Sequence, residues 1–322
     1  MNSTLTMQVL EVAELAAIAA SSWTGRGNRM AADEAATKAM HEAFNAMDFS
    51  GRIVIGEGEH DEASLLYVGE ELGRGGESID IALDPLEGTN LCAMNRPDAL
   101  TAVAIAPKGS LLFVPDTYMW KVAASSACVG RIHVDAPPAQ NIAAVADCLG
   151  KPVSEVDVCI LLRDRHRELI EAVHTSGARV QLIDDGDIFG SIAAAVPDTG
   201  IDLYLGSGGS PEGVLAAAGI KAIGGVFMGR MDFSLDPNGA EKRELALKTV
   251  AVNIDAPLTV DLLVSGKDAA FIACGVTNGK MLKGVNRSGG SITTQSIIMD
   301  SATKTVRFVT NTRRGEHGTI HF

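Results

Sequence analysis

Aromatic residues are scarce in this chain, at 4% of 322 residues, with two tryptophans and three tyrosines. A core built on stacked rings is excluded, and Ala, Val, Ile and Leu must fill the interior. Positive charge is also short: 27 Lys and Arg face 40 Asp and Glu, a formal net charge of −13. Phosphate backbones and anionic lipid surfaces select basic faces, so neither nucleic acid nor membrane is expected as a partner. No uninterrupted apolar run reaches the ~18 residues of a membrane span. The Ala-rich stretch from Val9 to Ala20 is broken by Glu11 and Glu14 and lacks a basic leader, so a signal peptide is not expected. The five cysteines are scattered, odd in number and free of any C-x-x-C. That excludes a zinc knuckle or a disulfide framework and suggests a reducing cytoplasm. The seven histidines contain no H-E-x-x-H.

What is present is a globular balance, 46% hydrophobic and 21% charged, long enough for two domains. Val9, Val12, Ala13, Ala16, Ala17 and Ala20 follow helical spacing, and a second helix is expected from Met30 to Met47. A short strand, Arg52 to Ile55, enters the loop G-E-G-E-H-D-E, and the alternating strand Ile79-Ile81-Leu83 ends at Asp84-Pro85. Strands are also expected near 100–106 and 110–114, so the first half reads as α+β with a largely antiparallel sheet. After Lys151-Pro152 strands and helices alternate, the signature of βαβ units and a mostly parallel sheet. The boundary is placed near 152, giving domains 1–152 and 153–322 in an α/β chain, with a hairpin near 300–304.

Acids gather beside Gly and Pro. Asp84 and Glu87 in D-P-L-E-G-T can converge on one hard cation, with the Leu86 carbonyl as a third oxygen. The N–H groups of Gly88 and Thr89 suit a phosphate. Glu57 lies between two glycines in G-E-G-E, followed by Glu59, Asp61 and Glu62. Asp33 is one turn before Ala36 and continues the apolar stripe of the second helix toward its start. Glu212 follows the Gly-rich turn 206–211, where Pro211 breaks the spacing of a dinucleotide loop. Each feature alone has a plain structural reading as a capped turn, a solvated acidic loop or a dipole-favoured acid. Together the five acids point to two bound Mg²⁺ or Mn²⁺ ions and phosphoryl transfer to water.

D-P-L-E-G-T at 84–89 with G-E-G-E at 56–59 resembles the lithium-sensitive, metal-dependent sugar and inositol phosphatases. Together with W-x-G-R-G at 23–27, I-V-I-G-E-G-E-x-D-E-A at 53–63, Tyr118, R-H at 165–166, D-G-D at 185–187 and G-G-x-P-E-G-V at 208–214, the chain is similar to bacterial class II fructose-1,6-bisphosphatases. The resemblance implies a layered α-β-α-β-α sandwich with the active site between two domains. It assigns Asp33 and Glu57 to one metal, and Asp84, Glu87 and Glu212 to the other. Gly88 and Thr89 would meet the scissile phosphate, Thr89 orienting or deprotonating the attacking water, so Thr89, Asp33 and Glu57 are the catalytic candidates. Glu87, Tyr118, Arg163, Asp164, Arg165, Asp185, Gly186, Asp187 and Gly209 are the remaining substrate-binding candidates. Arg29 stands where the family usually has Lys, and Arg163-Asp164-Arg165-His166 replaces K-P-R-H. The expected reaction is hydrolysis of fructose 1,6-bisphosphate in gluconeogenesis. The alternatives are a sedoheptulose-1,7-bisphosphatase or dual-specificity enzyme, an inositol-phosphate phosphatase, or a non-catalytic sugar-phosphate-binding regulator. Ala-rich helices could bury a dimer interface, and a homo-oligomer, dimer or tetramer, is expected.

Overall fold

A computed structural model describes residues 3–58 and 63–314 of the chain. Glu59, Asp61 and Glu62 of the acidic loop lie outside the described residues. In chain order the elements begin with α1 (Ser3–Ser21), α2 (Arg29–Asn45), β1 (Ser50–Ile55), β2 (Glu71–Leu72), β3 (Ser78–Glu87), α3 (Thr89–Ala93) and β4 (Leu100–Pro107). The middle holds β5 (Tyr118–Ala124), α4 (Pro138–Leu149), β6 (Asp157–Leu161), α5 (Arg167–Ser176), β7 (Arg179–Ile183), α6 (Asp187–Ala195), β8 (Leu203–Gly209) and α7 (Ser210–Ile223). Then come β9 (Val226–Asp232), α8 (Gly239–Thr249), β10 (Leu258–Thr259), α9 (Val260–Leu263), β11 (Ala270–Gly275), β12 (Asn286–Ser288), β13 (Ser291–Asp300) and β14 (Thr305–Arg314). The class is α/β.

The chain divides into two compact units, Met1–Lys108 with Asp268–Phe322, and Gly109–Lys267. The boundary read near 152 therefore falls inside the second unit. Two long-range pairings explain the difference. Strand β5 hydrogen-bonds along its length with β8 and β9, while β11 returns to pair with β4. Neither partner is visible in local composition.

The first unit's sheet runs β12-β13-β11-β4-β3-β1-β2, with β14 on β13. It is antiparallel except for β1 beside β3. The second sheet runs β10-β9-β5-β8-β6-β7. Only β6–β7 and β6–β8 are parallel, because β5 enters antiparallel between β8 and β9. The mostly parallel sheet expected here is corrected to a mixed one, although β6-α5-β7 and β7-α6-β8 are true βαβ units. The strand expected at 110–114 is a single bridge, Leu111 to Val264. Pro115 has no N–H to extend a ladder there. The hairpin near 300–304 forms as β13–β14, with Asp300 opposite Thr305.

Helix α1 is long and apolar enough to cross a membrane by length and composition alone. In the fold it is a core helix: Val9, Val12, Ala13, Ala16, Ala17 and Ala20 join one apolar cluster with Ile79, Ile81, Leu83, Val103, Ile105 and Ile272. Glu14, which interrupts the apolar run, is 1% exposed. Its carboxylate accepts from Thr294 Oγ1 at 3.0 Å, Asn311 Nδ2 at 2.9 Å and Arg313 Nη2 at 2.7 Å. A buried charge needs such partners, and here they tie α1 to the terminal hairpin.

Candidate functional site

In the first unit Glu57 follows the end of β1, and Asp84 and Glu87 lie at the end of β3, the one strand parallel to β1 among the described residues. Open α/β sheets bind ligands at the carboxyl ends of their strands. In β3, Ile79, Ile81 and Leu83 face α1 and α2, which leaves Asp84 on the opposite face. Strict alternation would then turn Glu87 back toward the helices. A bulge prevents this: Asp84 pairs with Ala102 and Glu87 with Leu100, three residues against two. Leu86 consequently rejoins the core cluster, and Asp84 and Glu87 share one face. Asp84 Oδ1 accepts the Leu86 N–H at 2.9 Å, fixing the turn. Gly88 follows in the left-handed region, φ +79°, where a Cβ would meet Leu91 Cδ1 at 2.9 Å. Thr89, half-buried, opens α3.

Glu57 is held by the loop behind it. Its N–H bonds Leu66 O at 3.0 Å, and a Cβ on Gly56 would stand 2.1 Å from that oxygen. Leu66 itself has φ +58°, a strained value for a residue with a side chain. Glu70 maintains it, accepting the Leu66 N–H at 2.6 Å while its other oxygen bonds His41 Nε2 of α2 at 2.9 Å. Asp33 lies in the second turn of α2, which Asn28 caps by accepting the Ala31 N–H. The buried stripe is Ala32, Ala36, Met40 and Phe44. Asp33 is therefore on the flank of the stripe rather than in it, half-buried, and burial pushes its carboxyl pKa up.

Among the described residues, no three His, Cys, Asp or Glu side chains stand close enough together to hold a metal ion. The described residues therefore form no ready-made cage, yet the donors fit a hard cation. They are carboxylates and carbonyls, with Asp84 and Glu87 aimed to one side. Mg²⁺ commonly takes one or two carboxylates and completes its shell with water and substrate phosphate.

The second unit carries the remaining candidates. Strand β8 ends in Gly206-Ser207-Gly208-Gly209 and runs directly into α7, whose first turn holds Glu212. Three of its glycines are required by close neighbours. A Cβ would lie 3.1 Å from His166 Cε1 at Gly206, 1.6 Å from Asp187 Oδ2 at Gly208, and 2.0 Å from Glu212 Oε2 at Gly209. This crowding, not a dinucleotide, accounts for the glycine run. Asp187 begins α6 after Gly186, which is left-handed at φ +90°. Asp187 is 5% exposed; Oδ2 accepts from Lys121 Nζ at 2.6 Å, and Oδ1 is buried with no hydrogen-bond partner among the described residues.

His166 is wholly buried, with Nδ1 2.7 Å from Leu161 O and Nε2 accepting the Ser207 N–H at 2.8 Å. Two such partners require the neutral ring protonated at Nδ1. Burial pushes its pKa down, and Arg165 and Arg163 add to that; the Leu161 bond and the nearby Asp187 oppose it. Arg165 lies over the Tyr118 ring at 4.9 Å and donates Nη2 to Ser207 O at 2.7 Å. Arg163 ties Asp184 O and, at 3.3 Å, Asp185 Oδ1. The side chain of Asp164 is fully exposed and pairs with Arg167 at 3.3 Å. Sequence reasoning missed Lys121, Ser207 and His166 as site-shaping residues. The available signal was the single Lys in the otherwise apolar strand Tyr118–Ala124.

Residues 3–313 match the family described as bacterial fructose-1,6-bisphosphatase, glpX-encoded. A protein of Thermosynechococcus vestitus named D-fructose 1,6-bisphosphatase class 2/sedoheptulose 1,7-bisphosphatase is 39% identical over 333 residues, covering 96% of this chain and 95% of that one. A protein of the same name from Synechocystis sp. is 40% identical over 332 residues, covering 96% of each chain.

Proposed function

Because the chain belongs to the bacterial fructose-1,6-bisphosphatase family, whose members are metal-dependent phosphoric monoester hydrolases, we propose that it removes the 1-phosphate of fructose 1,6-bisphosphate, giving fructose 6-phosphate and phosphate in gluconeogenesis. The observation that carries this reading is the bulge in β3, which turns Asp84 and Glu87 to one side immediately before Gly88-Thr89. Bound Mg²⁺ or Mn²⁺ would neutralise phosphoryl charge and acidify the attacking water.

Asp33, Glu57, Asp84, Glu87 and the Leu86 carbonyl would hold the ions, with Glu212 as the fifth acid of the set. The N–H groups of Gly88 and Thr89 would take phosphoryl oxygens, and the Thr89 hydroxyl would orient the water or take its proton. Arg165, placed over the Tyr118 ring, offers a fork suited to the second phosphate. Arg163 fixes Asp185, and Asp187 and Gly209 would meet sugar hydroxyls.

Sedoheptulose 1,7-bisphosphate is the second reading, favoured by the double name of both relatives. Phosphate release from a panel of sugar and inositol phosphates, run with each metal in turn, tests both. Activity is expected on bisphosphates, and preference for a monophosphate would refute the proposal.

A further inference from the structure

Strand β5 reads Tyr-Met-Trp-Lys-Val-Ala-Ala, and its one charged residue is wholly buried. Val122 and Ala124 join the apolar cluster with Ile142 of α4 and Val173 of α5. Strand alternation therefore turns Lys121 to the other face, where α6 and α7 begin. There Nζ reaches Asp187 Oδ2 at 2.6 Å and would stand 3.3 Å from a Cβ at Gly208.

Fold stability alone does not account for this pair. Taking both ions out of water is costly, and a packed apolar pair generally serves a fold equally well. What the pair does achieve is local. Lys121 engages Oδ2, so the carboxylate is fixed in rotation. The Oδ1 atom of this 5%-exposed residue then has no hydrogen-bond donor among the described residues. An acceptor buried without a donor is unfavourable unless a ligand brings one. Gly208 completes the arrangement, since any side chain there would collide with Oδ2.

We propose that Lys121 is a positioning residue for the sugar. By holding Oδ2 of Asp187 it aims Oδ1 at one hydroxyl of the bound bisphosphate and keeps that position an acceptor only, which admits a hydroxyl and repels a phosphate. The inference rests on the bisphosphatase reading above. The test compares fructose 1,6-bisphosphate with analogues lacking one hydroxyl at a time, with Mg²⁺ present, on wild type, Lys121→Met and Lys121→Gln. Both variants should raise KM for the full substrate ~10- to 100-fold while kcat stays within ~3-fold. One deoxy analogue should already show the raised KM with wild type, and the substitutions should then add nothing. Lys121→Arg, which keeps the charge, should recover part of the loss.

Equal losses on every analogue would reduce Lys121 to a structural role, and an unchanged KM in a folded variant would deny it any role; either result overturns the inference. Thermal melting establishes folding, and if Lys121→Met does not fold, the Gln and Arg variants make the same comparison. Wild-type turnover of fructose 1,6-bisphosphate decides the underlying reading separately. Were wild type inert, calorimetric binding of the same ligands to the same variants would still test selectivity for the single hydroxyl.

Discussion

The imidazole of His166 accepts the backbone N–H of Ser207 at 2.8 Å, joining the end of β6 to the glycine turn that ends β8. Protonation would remove that acceptor and place a cation beside Arg165 and Arg163. Burial holds the folded pKa below its ordinary value of about 6.5. A depressed folded pKa means that the unfolded chain takes up the proton first. Stability should thus be full above about pH 6.5 and decline as pH falls toward the folded pKa. Urea unfolding across that window should show the decline for wild type and a flatter profile for His166→Gln. The same slope in both would refute the assignment.

Gly208 has no room for a methyl, because its Cβ would sit 1.6 Å from Asp187 Oδ2. Gly208→Ala should therefore displace Asp187 and raise KM for the bisphosphate ~10-fold or more, the effect of a lost charge-assisted hydrogen bond. Steady-state kinetics on folded protein checks this. An unaltered KM would mean that Asp187 does not touch the substrate.

Glu14 and Arg313 predict a stability effect without a catalytic one. Glu14→Ala leaves Arg313, Asn311 and Thr294 without their shared acceptor. The expected cost is about 3–5 kcal/mol in urea unfolding, the range for breaking a buried pair. Replacing both charges, with Glu14→Leu and Arg313→Met, should restore most of it. Turnover per folded molecule should not change.

Chelation should abolish phosphate release, and Mg²⁺ or Mn²⁺ should restore it. Asp84→Asn should lower kcat/KM by ~100-fold or more, as expected when one transition-state charge contact is lost. Metal-stripped protein should bind the bisphosphate poorly in calorimetry, because the carboxylates would then face phosphate uncompensated. Full activity in excess chelator would sink the metal-dependent mechanism.

Much of this was legible along the chain. Val9 through Ala20 disclosed a helix, and the run from Met30 disclosed the next. The alternation at Ile79-Ile81-Leu83 disclosed a strand, although it continues past the expected end at Asp84-Pro85 to Glu87, because the bulge carries the pairing with β4 on to Leu100. The motif around Asp84 to Thr89, through its resemblance to the sugar phosphatases, pointed to the family that the chain matches. Asp33 was read one position off its place, because helical periodicity shows a stripe but not which edge of it packs deepest.

Other features depend on partners far away in sequence. Lys121 stands out in sequence as the one charge of an apolar strand, but its partner Asp187 comes 66 residues later and only the fold brings it within 2.6 Å. The unit boundary depends on β11 crossing back to β4, a pairing that no local pattern encodes. The spacing of Asp84 and Glu87 illustrates the division best. Sequence alone determined that two carboxylates stand three residues apart around Pro85-Leu86, and strand periodicity by itself would set them on opposite faces. The register against Ala102 and Leu100 inserts one extra residue and turns both to the same side. The physical reason is that a strand's face is fixed by its hydrogen-bonded neighbour, and β4 is chosen by the packing of the whole sheet.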